Sequence, residues 1–238
     1  MSERLAAYAQ QLFNLTLSEA QQAQFARYAA ELETWNKSRA NLTAITGAEA
    51  IEVRHFLDSL SLLSALDIPH GARLVDVGTG GGFPGVPLKI VRSDLRLALL
   101  EATGKKIAFL QHLANVLQLS DIQFLNARAE EAGHMPEQRE SYDVVVARAV
   151  ALMPILMEYL LPLARVGGVC VAMKGESAQR ETNEAANALR ILGGKVSRIV
   201  PIQLPKVAET HHLVIVEKVA PTPPAYPRKP GIPAKKPL

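Results

Sequence analysis

A single cysteine, Cys170, stands among 238 residues. One thiol excludes an intrachain disulfide and any zinc site built on several cysteines. Long apolar runs are missing as well. The most apolar stretch, Val144 to Met173, is interrupted by Arg148, Pro154, Glu158, Pro162 and Arg165, so no membrane span is expected. The start, Met1-Ser2-Glu3-Arg4-Leu5, is charged at once and lacks the apolar core of a secretory signal. A soluble, cytoplasmic chain is expected. Acidic residues are absent from the last 18 positions, which hold Arg228, Lys229, Lys235, Lys236 and seven prolines. With a net charge of +3 overall, that tail carries +4 and the remainder −1. Basic clusters suit polyanions, and a solubilising tail has the same composition.

A hydrophobic content of 48% supports a sizeable core, in one large domain or in one domain with an appendage. Residues 1–68 read as helical. Leu5, Leu12 and Phe13 share one face of a first helix, and Ser18 caps a second that buries Phe25, Ala29, Leu32 and Trp35. A third helix is expected over 48–66. From Arg73 the pattern alternates strand and helix. Strands are expected at 73–77, 95–100, 122–125, 142–147 and 168–173, with helices at 85–92, 104–118, 129–133, 152–163 and 177–192. Such alternation predicts a parallel sheet with helices on both faces. Two further strands, 195–203 and 212–218, have no helix between them and should pair antiparallel. The region 69–220 is therefore read as the α/β domain, and 221–238 as an extended, proline-rich tail.

The most informative segment runs from Val75 through Asp76-Val77-Gly78-Thr79-Gly80-Gly81-Gly82 to Phe83. A buried strand enters a glycine-rich turn, and a helix follows near Pro84–Val86. This is the nucleotide corner of a doubly wound sheet. A dinucleotide fingerprint needs a third glycine where Phe83 stands. Asp76 would also repel phosphates, whereas it suits the sulfonium and ammonium groups of S-adenosylmethionine. The glycine cluster alone is equally the mark of a tight turn; Asp76 and the strand before it favour the methyl donor.

Ligands of open α/β sheets bind at the carboxyl ends of the strands. There the first strand supplies Asp76, Gly78, Gly80, Gly82 and Phe83. The second supplies Glu101, placed for ribose hydroxyls or as a cap of the next helix. The third supplies Ala129, which leaves room for a flat base, and Glu130, an acceptor for an adenine amino group or a helix-start residue. The fourth supplies Arg148, a clamp for a carboxylate or phosphate or else one half of a salt bridge. The fifth supplies Lys174, a phosphate contact or a solvent-facing lysine. His55 and Asp58, three apart on one helical face, read as a packing pair. No ligand set for a metal is expected.

Methyl transfer is a direct displacement that depends chiefly on alignment. The Asp/Asn-Pro-Pro-aromatic motif of exocyclic-amine methyltransferases is absent; that place reads Ala147-Arg148-Ala149-Val150. Cys170 lies between valines in a buried strand and is expected to be inert, which removes the thiolate needed at a pyrimidine carbon. By elimination the acceptor bears a free lone pair, as a purine ring nitrogen does.

Asn41-Leu42-Thr43-Ala44-Ile45, His55 to Leu60, Asp76 to Leu88, Gly104-Lys105-Lys106, Arg128-Ala129-Glu130, Ala147 to Ala151, His211-His212-Leu213-Val214 and Arg228-Lys229-Pro230-Gly231 together resemble the ribosomal RNA small subunit methyltransferase G (glucose-inhibited division protein B) family. The resemblance spans roughly residue 40 to the C-terminus. It implies a Rossmann-like class I fold: a mostly parallel seven-stranded sheet closed by an antiparallel hairpin. It implies S-adenosylmethionine as cofactor and N7 of a guanine in a conserved 16S ribosomal RNA loop, near the decoding centre, as acceptor. Donor contacts carry over onto Gly78, Phe83, Ala129, Glu130 and Arg148. Arg228, Lys229, Lys235, Lys236 and Lys174 are then candidate RNA contacts, with Lys37, Arg39, Arg54 and Tyr226 as additional surface. The partner is 16S ribosomal RNA or the small subunit, and a monomer is expected. Methylation of a small molecule or protein, or a non-catalytic RNA-binding module, are the rival readings.

Overall fold

The computed structural model describes residues 2–38 and 41–238, so Arg39 lies outside the described residues. Two helices lead, α1 (Ser2–Phe13) and α2 (Glu19–Ser38). Ser18 and Gln21 cap α2 reciprocally: Gln21 N donates to Ser18 Oγ and Ser18 N to Gln21 Oε1. Leu5 and Ala9 make the buried face of α1, while Leu12 is 40% exposed, against expectation. By period Leu12 falls within about 20° of Leu5 around the helix, so its exposure goes with its place in the last turn of α1 and not with its angle.

The expected third helix is a chain of short pieces: α3 (Ala48–Ile51), a π-helical segment (Glu52–Leu57), α4 (Asp58–Leu60) and α5 (Leu62–Ala65). The π segment widens the turn under Arg54 and His55. Such bulges occur frequently at functional sites.

The sheet then builds from β1 (Arg73–Val77), α6 (Gly85–Val91), β2 (Arg96–Leu100), α7 (Gly104–Val116), β3 (Ile122–Leu125), α8 (Ala129–Ala132), β4 (Tyr142–Arg148), α9 (Met153–Leu160) and β5 (Ala164–Lys174). It closes with α10 (Ala178–Glu184), α11 (Ala186–Leu192), β6 (Gly194–Ile202) and β7 (His211–Lys218). The single helix expected over 177–192 is thus two, parted at Ala185.

Strand order is β3-β2-β1-β4-β5-β7-β6. The first five strands are parallel; β7 pairs antiparallel with both β5 and β6. The order reverses between β1 and β4, which is where such sheets bind ligands. Alternation along each strand feeds two cores. Leu74, Val144, Val146 and Val171 face the layer of α2, the π segment, α6 and α7. Val75, Val145, Ala147, Cys170 and Ala172 face α9 and α11. Phe25, Tyr28 and Phe56 belong to the first of these cores, so the leading helices share it with the sheet. Among the described residues no helix is long and apolar enough to cross a membrane.

The tail departs most from expectation. It lies folded on the body and contains a helical turn, α12 (Ile232–Lys235), with Pro227 and Pro233 buried. Arg228 grips Glu158 of α9: Nη2 donates to Oε2 at 2.6 Å, and Nε and the backbone N donate to Oε1 at 2.9 and 2.7 Å. Glu158 is fully buried. Arg228→Ala leaves that carboxylate without its cation and should cost about 3 kcal/mol. Lys235→Ala, at an exposed position, should stay within about 0.5 kcal/mol. Urea unfolding of the two variants checks the contrast.

Candidate active site

Asp76, within β1, is buried and ties the glycine bend from the inside. Its Oδ2 accepts from Thr79 Oγ1 at 2.7 Å and from Gly85 N at 2.8 Å, while Oδ1 is buried with no partner. Burial pushes its carboxyl up to about 6. The amides of Gly78 and Thr79 both donate to Leu100 O, so the bend leans on the end of β2. Gly78 has φ +68°, and a Cβ there would lie 2.7 Å from Val150 Cγ2. Gly82 has φ +100°, and a Cβ there would lie 2.9 Å from Val86 Cγ2. Both positions require glycine on backbone and space alike.

Glu101, at the mouth of β2, accepts from Gly80 N at 3.1 Å through Oε2 and from Thr103 N at 2.9 Å through Oε1. It therefore links the bend to the start of α7. Each of its oxygens has a second lone pair, so a ribose hydroxyl can still be accepted. Asn126, at the end of β3, donates to Glu101 O and Ala102 O and holds the neighbouring edge. Ala129 is half-buried beside it. Glu130, read as an acceptor for an adenine amino group or as a helix-start residue, is buried and its Oε1 accepts from Gly231 N of the tail at 3.0 Å.

Arg148, at the end of β4, read as a clamp or as one half of a salt bridge, is paired within the protein. Nη1 donates to Asp58 Oδ2 at 2.9 Å and to Arg54 O at 3.0 Å, and Nη2 to His55 Nδ1 at 2.9 Å. A guanidinium only donates, so Nδ1 carries the lone pair and Nε2 the proton, which goes to Thr43 Oγ1 at 2.8 Å. Burial and the Arg148 charge push His55 down to about 3, consistent with that neutral tautomer. Asp58 Oδ1 takes the second imidazole, His211 Nδ1, at 2.8 Å. Phe83 is stacked between His55 (4.3 Å between centroids) and Tyr28 (5.2 Å), and Arg148 Cζ lies 5.0 Å from its ring centre.

This network forms one wall of a cleft of about 370 Å³ at the ends of β4, β5 and β7, which Arg54, Lys174, Gly175 and His212 also line. The structure thus brings His55, Asp58 and Arg148 together with His211, which stands 153 positions from Asp58. Sequence reasoning gave Thr43 and His211 no role in the site. Their only signal was membership of the two motifs Asn41–Ile45 and His211–Val214.

Two expected phosphate contacts change. Lys174 donates to Ala151 O and pairs with Glu181 at 2.7 Å, both at low exposure. Arg228 is held by Glu158. Lys229, Lys235 and Lys236 are exposed. Cys170 is buried and its thiol is pushed up to about 12, so it offers no thiolate.

The residues fit a sulfonium donor. The rim of β1 and β2 is acidic, Asp76 keeps one buried oxygen without a donor, and the glycine bend admits close approach of a ligand. Asp76, Gly78, Gly80 and Glu101 are the residues that would hold it. With the switch point between β1 and β4, these features define a Rossmann-like, S-adenosylmethionine-dependent methyltransferase. The fold is shared with M. jannaschii TYW2, solved in complex with AdoMet, at 13% identity over 74% of this chain and 80% of that one, with a TM-score of 0.55. The family model described as rRNA small subunit methyltransferase G matches residues 21–213. The protein of that name from Roseiflexus sp. (strain RS-1) is 52% identical over 227 residues, 95% of each chain. Its counterpart from Chloroflexus aggregans is 46% identical over 237 residues, 100% of this chain and 98% of that one. The chain belongs to the rRNA small subunit methyltransferase G family, and S-adenosylmethionine is its methyl donor.

His211 gives the site a pH signature. Its bond to Asp58 raises it above the ordinary histidine value of 6.5. A group raised on folding stabilises fully below its unfolded value, and that contribution is lost as pH climbs through the folded value. The His211 contribution to stability should therefore fall as pH rises above 6.5, and His211→Gln should flatten that slope. Thermal midpoints taken below and above that pH check it.

Proposed function

We propose that this protein transfers a methyl group from S-adenosylmethionine to N7 of a guanine in a conserved loop of 16S ribosomal RNA, near the decoding centre. The family membership carries the reaction and the nucleic acid. The guanine N7 assignment is supported by the chemistry the site offers. When bound, S-adenosylmethionine supplies an electrophilic methyl carbon. Guanine N7 has an in-plane lone pair and no proton, so no general base is required. The site matches that need: the His55 lone pair is taken by Arg148, and Cys170 is locked in the core.

In this reading the cleft beside Arg148 receives the target base, extruded from its RNA loop. Arg54, Arg148 and His211 give it a cationic wall, which suits the electron-rich O6 of guanine and leaves the N7 lone pair to face the donor. Arg148 holds the wall in place and faces both the base and the donor end of the bend. Lys229, Lys235 and Lys236 form the phosphate-facing surface. The partner is the small ribosomal subunit or its RNA, and the protein works as a monomer in the cytoplasm.

Arg148→Ala should lower methyl transfer by about 10²-fold or more, the scale of losing one key electrostatic group. Asp58 keeps its His211 partner, so the fold should persist. Gly78→Asp should abolish donor binding. Mass mapping of 16S ribosomal RNA from cells carrying only the variant protein reads both; ordinary methylation in both strains would place the site elsewhere. Replacing Lys229, Lys235 and Lys236 together by alanine should reduce the slope of log affinity against log salt by about 2, given about 0.7 per phosphate contact on single strands.

A further inference from the structure

An arm that only gathers RNA phosphates needs little attachment to the body, yet this tail is bolted down along its length. Besides Arg228 on Glu158, the anchors concentrate on the connection that leads from β3 to β4. Arg139 donates to Thr222 O at 2.7 Å and Tyr226 O at 2.8 Å. His134 Nε2 donates to Pro227 O at 2.6 Å. Glu140 accepts from Thr222 N at 2.6 Å. The last anchor is Glu130, which accepts from Gly231 N. Gly133, between these anchors, has no room for a side chain: a Cβ would lie 2.8 Å from Pro227 Cγ.

Ala129 and Glu130 begin that connection at the mouth of β3, one strand beyond Glu101. The tail therefore reaches the end of the donor site opposite Arg148. Glu130 is buried, and Gly231 N supplies its Oε1 with a hydrogen bond that the closed site denies to water. Gly231 delivers that N–H with φ +83°, a left-handed conformation that favours glycine, although no neighbour lies within 4 Å of a built Cβ. Conformation rather than space makes the residue a glycine here.

We infer that the C-terminal segment is a built part of the donor site: through the Gly231 N–H to Glu130 contact it sets the Ala129–Glu130 backbone against which the adenine end of S-adenosylmethionine binds. The inference rests on the methyl-donor reading above. Glu130 is a positioning residue, and the tail has two faces. One holds the donor site; the other presents Lys229, Lys235 and Lys236 outward.

The test uses the full-length chain with Glu130→Ala, Glu130→Gln, Gly231→Pro and the Glu130→Ala/Gly231→Pro pair. Titration calorimetry gives Kd for S-adenosylmethionine and S-adenosylhomocysteine; steady-state assays give KM for small subunits. Glu130→Ala and Gly231→Pro should each raise both donor Kd values about tenfold, with KM for subunits unchanged. The double variant should be no weaker than either single, because Glu130→Ala removes the acceptor and Gly231→Pro the N–H of one and the same link. Glu130→Gln keeps an acceptor oxygen and should stay within about threefold. A general loss of packing would not give this rescue together with the split between the two substrates. Unchanged donor Kd in Gly231→Pro, effects confined to KM for subunits, or additive losses in the double variant would each overturn the inference. An unaltered chain that binds no donor at all would overturn the methyltransferase reading and this inference together.

Discussion

One buried carboxylate organises the site. Asp76 sits in the middle of β1, out of water, and its Oδ2 gathers the Thr79 hydroxyl and the Gly85 amide from either side of the glycine bend. Charge-assisted bonds of this kind are strong where water cannot compete. They hold the bend closed over nine residues, so that Gly78 faces β4, Gly80 meets Glu101, and Phe83 turns down into the core. The unmet Oδ1 and the raised pKa are the cost of keeping that carboxylate inside.

Phe83 carries the constraint outward. Its ring is stacked between Tyr28 of α2 and His55 of the π segment, and Tyr28 Oη donates to Gly81 O at 2.5 Å. The leading helices are thereby coupled to the bend, and through His55 to Arg148, Asp58 and His211. A π turn frees backbone carbonyls from the ordinary ladder, and Arg54 O is available to Arg148. The glycine bend and the cleft thus share a wall in which His55, Arg148, Asp58 and His211 are bonded in one chain.

Much of this was legible in the order of residues. The alternation of apolar strands and amphipathic helices after Arg73 announced a doubly wound sheet, because period-two and period-3.6 patterns answer to different backbones. Asp76 with its glycines marked the ligand corner, and the antiparallel end followed from the missing crossover helix. The expectations that changed involve charged residues. Arg228, Lys174 and Glu130 were read as groups facing a ligand, and each is engaged inside the protein. A charge in a sequence does not reveal whether its counter-charge stands 70 residues away, as Glu158 does from Arg228. The breaks at Ala185 and in the π segment were invisible for a related reason: both are local departures that tertiary packing imposes on sequences with ordinary helical pattern.

By itself, then, the chain determined its class of fold, its glycine-rich corner and its core, since those depend on hydrophobic period, glycine placement and one acidic residue, all local properties. Tertiary structure decided what the polar residues do. It set His211 against Asp58, gave Arg148 three protein partners, and folded a proline-rich, basic tail onto the body instead of leaving it in solvent. The physical reason is that burying a charge demands a partner at hydrogen-bond distance, and which residue meets that demand is settled only when distant segments close around it.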